Sequence, residues 1–239
     1  MPRGLFITGN HTGVGKTVVT AAVVRYLRRQ ELDAVPMKPV QTGADSGDYM
    51  DLEMHLQAAR LSVPKEQKAL MCPYCFKTPC SPHLAAALEG TQPDLATVEI
   101  CVANLLCEHD AVIVEGAGGV LSPFNSNASM LTLMALLKFP VVLVAGVYLG
   151  AINHTLLSIQ ALQGAGLEFA GVVFSEIDPT LPEYVRRDTV ETVLRLGHVC
   201  CLGVIPHLPA LQQPGETPWD EVITHISGRN TLLHFLGWK

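Results

Sequence analysis

The chain has 239 residues, 49% of them hydrophobic and only 16% charged, with 16 Lys and Arg against 22 Asp and Glu for a formal net charge of −6. That apolar share supports a sizeable core and excludes a disordered chain, and the lack of a basic excess argues against nucleic acid as a partner. The N-terminus shows no apolar signal region or cleavage site, and the seven Cys are unevenly spaced, so a cytoplasmic protein with reduced thiols is expected.

In chain order, a strand is expected over 4–8, a helix over 16–30 and a strand over 34–39, which Lys38 helps to close before a polar loop at 41–47. Helical spacing returns over 51–61, and Ser81 with Pro82 makes a good cap and first turn for a helix over 81–88. Residues 93–107 are amphipathic, and a buried strand over 111–114 ends in Glu115 and the turn Gly116-Ala117-Gly118-Gly119. Helix 128–138, strand 140–146, helix 152–163, strand 169–174, helix 181–196 and strand 200–205 follow, before a less regular tail. Between Glu115 and Glu168 the only formal charge is Lys138, but Pro140, Gly146, Gly150, Asn153 and His154 cut the stretch into strand and helix lengths, so no membrane partner is expected. Strands alternating with helices predict an α/β fold, a mostly parallel sheet with helices on both faces, in one domain over 1–239.

Gly9-Asn10-His11-Thr12-Gly13-Val14-Gly15-Lys16-Thr17 stands between the first strand and the first helix. Such a loop turns backbone N–H groups and the positive helix end toward one spot suited to phosphate. Lys16 adds a point charge there and the Thr17 hydroxyl suits Mg²⁺. The strict motif wants Gly where Asn10 stands, and Gly9 lies one place earlier. Glu115, at a strand end facing the same sheet edge, is a candidate magnesium ligand. Asp51 is another, with Asp45, Asp48 and Glu53 as rivals. Lys38 taken alone is more often a solvated surface cation.

The ordered series resembles the dethiobiotin synthetase family: Gly9-x-x-Thr12-Gly13-Val14-Gly15-Lys16-Thr17, Lys38-Pro39-Val40-x-Thr42-Gly43, Pro73-Tyr74-x-Phe76-x-x-Pro79-x-Ser81-Pro82-His83, Val114-Glu115-Gly116-Ala117-Gly118-Gly119, Leu149-Gly150-x-Ile152-Asn153-His154 and Leu202-Gly203-x-Ile205-Pro206. The family shares the longer Gly spacing of the phosphate loop. The resemblance implies a P-loop NTPase-like fold and an ATP- and magnesium-dependent ligase of biotin synthesis. One amine of 7,8-diaminononanoate captures CO₂, the carbamate attacks the γ-phosphate, and the other amine closes the ureido ring. It further implies catalytic roles for Lys38, Lys16 and Thr12, and substrate contacts by Thr42 and Ser81. Nucleotide contacts fall to Gly13, Val14, Gly15, Lys16, Thr17 and Val18, to Asp51 and Glu115, to Gly116, Ala117 and Gly118, and to Ser175, Glu176, Pro206, His207 and Leu208. Thr17, Asp51 and Glu115 are the implied metal ligands. Gly150, Ala151, Ile152 and Asn153 open a helix that, by the same resemblance, binds the substrate's tail carboxylate from a neighbouring subunit, which implies a homodimer. Asn153 by itself could equally be a helix cap.

Three features compete. Cys72, Cys75, Cys80 and His83 put four zinc-ligand types into twelve residues, but the cysteines occupy variable positions of the family pattern. A redox Cys72-x-x-Cys75 pair is disfavoured because no strand is expected to lead into a helix there. His11 replaces a usual acid, and Ser175 stands where the family commonly places an adenine-reading Asn. The other function classes are a partition-type dimeric ATPase switch, which would carry a second Lys at His11, and a catalytically silent nucleotide-binding regulatory module.

Overall fold

Strand β1 (Gly4–Gly9) is buried along its whole length, and its side chains divide between two cores. Phe6 enters one apolar cluster while Leu5 and Ile7 enter the other, as alternation along a strand covered on both faces requires. The computed structural model describes residues 3–45, 49–212 and 218–238. Its main sheet contains β1, β2 (Ala34–Met37), β5 (Ala111–Glu115), β6 (Val141–Gly146), β7 (Phe169–Ser175) and β8 (Cys201–Ile205). The strand order is β2-β5-β1-β6-β7-β8, and every neighbouring pair is parallel.

Helix α1 (Lys16–Arg29) buries Val19, Ala22, Val23 and Leu27 on one side of the sheet. The other core takes side chains from α2 (Met50–Ala59), α5 (Leu95–Glu108), α6 (Met130–Leu137), α7 (Ala151–Gly164) and α8 (Glu183–Gly197), such as Leu52, Val98, Leu133, Ile159 and Val193. Each buried Leu, Ile or Val contributes roughly 1.5–3 kcal/mol relative to exposure. Local signals set the ends. Asp94 caps α5 by accepting from the Thr97 N–H, and Ser129 and Thr132 form a capping box on α6. Among the described residues no helix is long and apolar enough to cross a membrane.

The structure corrects the expected elements in four places. The second strand ends at Met37, because the Lys38 N–H leaves the sheet to donate to Met71 O at 2.7 Å. Part of the expected polar loop is instead a short strand, β3 (Val40–Thr42), paired in parallel with β4 (Tyr74–Phe76). A short helix, α3 (Lys65–Met71), precedes β4, and α4 (Pro82–Leu88) follows it, so a strand does lead toward a helix beside Cys72 and Cys75. The tail is regular too: α9 (Trp219–His225) and α10 (Arg229–Phe235) bury Val222, Ile223 and Leu232 in the same core as α1.

Candidate active site at the carboxyl edge of the sheet

Because β2, β5 and β1 are neighbours, three segments converge where their carboxyl ends meet: Lys38 after β2, Glu115 at the end of β5, and the loop after β1. Gly15 caps α1 at φ 93°, a left-handed conformation that favours glycine, and no side chain caps that helix start. Its first N–H groups therefore have no side-chain competitor for an anion. Lys16 is buried, with Nζ donating to His11 O at 3.0 Å. Burial lowers its pKa to about 8, against the opposing pull of Glu115.

Around Glu115 the contacts form a closed network. Thr17 Oγ1 donates to Glu115 Oε1 at 3.1 Å, and Lys38 Nζ lies 2.5 Å from the same oxygen and 2.8 Å from Asp51 Oδ2. His55 Nε2 stands 2.7 Å from Glu115 Oε2. Burial alone would raise the Glu115 pKa, but Lys38 and His55 hold it well below the usual carboxylate range. Burial likewise works against the Lys38 charge, and the Glu115 and Asp51 carboxylates overcome it, so this ammonium stays protonated. A cation kept in place by two anions cannot be the solvated surface Lys that its sequence context alone allows.

Two cavities adjoin here. The first, about 260 Å³, is lined by Thr12, Gly13, Gly15, Lys16, Thr17, Lys38, Val40, Gln41, Thr42, Asp51, Glu115, Ala117 and Gly118. The second, about 490 Å³, shares Thr12, Thr42, Ala117 and Gly118 and adds Pro79, Cys80, Ser81, Pro82 and Ser122. Ser81 occupies the cap position of α4 without its hydroxyl capping the helix, and the residue instead forms part of the cavity wall. Gly118, at φ 67°, lies so close to the Ser122 side chain that a Cβ would collide with it.

Other expected residues lie elsewhere. Val14 and Val18 pack into the core beside α1, and Gly116 is turned onto Phe6, so their side-chain positions do not face either cavity. Ser175 reaches the back of the phosphate loop, its Oγ 3.0 Å from where a Gly15 Cβ would stand. Glu176 is paired with Arg186 at 2.9 Å. Pro206, His207 and Leu208 follow β8, half-buried and outside both cavities. Gly150 caps α7, so Asn153 is not its cap; Asn153 is exposed, and none of residues 150–153 lines the two cavities of this chain. His11 stacks toward His154, which bonds Tyr148 at 2.8 Å, beside that helix start.

Among the acid rivals, Asp45 is exposed and near Lys77, and Glu53 pairs with Lys68. Asp48 lies outside the described residues. Asp51 is the one that meets Lys38. Thr17, Glu115 and Asp51 offer only oxygen donors, the set magnesium takes, and so fit that ion. Among the described residues no three His, Cys, Asp or Glu side chains converge as a metal cluster. Cys72 is buried with Sγ toward Tyr74 O, Cys80 turns to Ser81 O, and His83 is exposed. Burial also pushes the Cys72 thiol well above its usual range, the opposite of a redox-active Cys. Sequence reasoning missed His55, Gln41 and Ser122, and it gave Val40, Pro79 and Cys80 no place in this site; for His55 the available signal was its place one helical turn after Asp51.

A family model described as an AAA domain matches residues 3–215. A protein of Anaeromyxobacter dehalogenans strain 2CP-C, named ATP-dependent dethiobiotin synthetase BioD, is 42% identical over 207 residues, covering 87% of this chain and 91% of its own. A protein of the same name from strain 2CP-1 is 45% identical over the same shares, and one from Halalkalibacterium halodurans is 37% identical over 87% and 86%. In three dimensions the MinD cell division protein of Aquifex aeolicus superposes with a TM-score of 0.62 at 17% identity over 97% of each chain, a likeness of fold alone. The relatives that match in sequence nearly end to end carry one name: the chain belongs to the dethiobiotin synthetase family and has a P-loop NTPase fold.

Proposed function

We propose that the protein is an ATP- and magnesium-dependent cyclo-ligase that builds the ureido ring of dethiobiotin from 7,8-diaminononanoate and CO₂. The observation that carries this reading is Lys38, a buried ammonium fixed between Glu115 and Asp51 in the first of two adjoining cavities. The first cavity, with the phosphate loop, takes the triphosphate, and the second takes the diamine. One amine adds to CO₂ and releases a proton to form a carbamate. A carbamate oxygen then attacks the γ-phosphate, giving a carbamic–phosphoric anhydride and ADP. The second amine attacks the anhydride carbonyl, phosphate leaves, and the ring closes.

Every step gathers negative charge between carbamate and phosphate, so fixed cations and donors carry the catalysis. Lys16 binds the phosphates. Lys38 faces the developing charge, and Thr12, on the wall shared by the cavities, donates its hydroxyl to the carbamate, with Thr42 and Ser81 holding the substrate. Thr17, Glu115 and Asp51 would hold magnesium, which when bound would supply further charge neutralisation. The uncapped start of α7 suits the substrate's tail carboxylate. Since it lies outside both cavities of its own chain, a second copy supplies it. Exposed Leu149 and Leu157 beside and on α7 support that homodimer. The whole chain acts as one domain, in the cytoplasm.

The test is an assay with diaminononanoate, bicarbonate, Mg²⁺ and ATP. Phosphate release coupled to a cyclic urea is expected. ATP hydrolysis indifferent to the diamine would instead favour the partition-type switch, a reading that the curated relatives do not favour.

A further inference from the structure

Helix α2 brings a second side chain to the site besides Asp51. His55 follows Asp51 by one turn, so both lie on the same helix face. That face meets the carboxyl ends of β2 and β5, where Asp51 reaches Lys38 and His55 Nε2 lies 2.7 Å from Glu115 Oε2. The second pair is sealed from water, with side-chain exposures of 0% and 1%. Among the described residues neither Nε2 nor Oε2 makes a hydrogen bond and His55 Nδ1 makes none, so their 2.7 Å approach is the polar contact that each has.

Glu115 therefore divides its oxygens. Oε1 faces Thr17 and Lys38, and Oε2 faces the imidazole. Lys38 cannot fix the carboxylate alone, because its ammonium is shared with Asp51. An apolar side chain at 55 would fill the core without stranding a ring nitrogen, a situation buried polar groups normally avoid. The imidazole is the group that completes the second oxygen, in the way outer partners orient the carboxylates of metal sites.

We infer that His55 is a positioning residue: by holding Oε2, it keeps Glu115 turned so that Oε1 is presented to Thr17 and Lys38, where the magnesium–nucleotide is engaged. The inference rests on the proposed role of Glu115. Its test compares His55→Leu, His55→Gln and His55→Asn in the full chain. ATP binding is titrated by calorimetry with and without Mg²⁺, alongside kcat, KM for the diamine, and thermal melts. A Gln amide reaches Glu115 from α2, whereas an Asn amide stops short.

Leu and Asn should lower both kcat and the Mg²⁺-dependent gain in ATP affinity by about 10- to 100-fold, the usual effect of losing an outer partner. ATP affinity without Mg²⁺ and KM for the diamine should hold, and Gln should restore most of the loss. The Leu variant, which strands the buried Glu115 Oε2, should melt lower than the parent, and Gln should recover most of that loss. Parental kcat and Mg²⁺ dependence in His55→Leu would overturn the inference, as would equal impairment of Gln and Asn, or a parent whose ATP affinity ignores Mg²⁺. If the Leu variant does not fold, the contrast between Gln and Asn decides. Should the parent make no cyclic urea, the ligase reading fails while the binding comparison still judges His55.

Discussion

Lys16 and Lys38 are both buried cations lining one cavity, yet their surroundings give them different work. Lys16 answers to a backbone carbonyl and the loop that cradles it, whereas Lys38 is locked between two carboxylates. Lys38→Gln should keep ATP affinity within a few-fold and lower kcat by about 10²–10³, the usual effect of removing one preorganised donor. Lys16→Gln should instead weaken triphosphate binding itself. Calorimetry and steady-state rates separate the two, and an unchanged kcat in Lys38→Gln would remove Lys38 from the chemistry. Ser175 carries a second prediction. Its hydroxyl sits behind Gly15 and cannot offer an amide's paired donor and acceptor, and Glu176 is already engaged by Arg186. Each net hydrogen bond is worth roughly 0.5–1.5 kcal/mol, so discrimination among bases should relax by about tenfold or more. Comparing kcat/KM for ATP, CTP, GTP and UTP checks this; a preference for ATP near 10⁴ would mean that another group reads the base.

At the scale of elements, the phosphate loop is bolted to its neighbours by one side chain. Asn10 Oδ1 accepts from the Gly146 N–H at 3.1 Å, and its Nδ2 donates to Thr155 Oγ1 at 2.9 Å, joining the loop to the end of β6 and the first turns of α7. Asn10→Ala leaves a buried backbone N–H unpaired and should cost about 1–3 kcal/mol of stability in denaturant melts. Equal stability of parent and Ala variant would refute the bolt. The same bolt explains a departure visible in the sequence, where Asn10 stands in place of the motif's Gly. Strands such as β5 and β6 are legible because each is a bounded apolar run, and Glu115 is legible because it ends one. Strands β3 and β4 are not: three residues each, centred on Gln41 and Cys75, show no period. For His55 the sequence carries only its spacing from Asp51, and that spacing gains meaning when the fold sets β5 beside the helix. Asp51 stood among rival acids until the first turn of α2 brought it to Lys38.

In the whole molecule the phosphate loop, Lys38 and Glu115 gather at one sheet edge, while the start of α7 lies outside both cavities. If a second copy supplies that helix, each site combines the phosphate loop of one chain with α7 of the other. Lys16→Gln and Asn153→Asp, the latter placing a like charge before the substrate carboxylate, should each be inactive alone. Mixed and allowed to exchange, they should recover about one quarter of parental activity, because a two-fold dimer of the two variants rebuilds one intact site. No recovery after verified exchange would place α7 and the phosphate loop in the same site within a chain. The shared wall of the two cavities has a consequence for inhibition. Thr12, Thr42, Ala117 and Gly118 border both spaces, so on the proposed reading a polyphosphate in one and a short diamine in the other lie against the same few side chains. A single compound bearing both halves, tethered across Thr12, would turn its second binding event into an intramolecular one and gain by effective concentration over either fragment. An enzyme without a second cavity beside its phosphate loop would gain nothing from the tether.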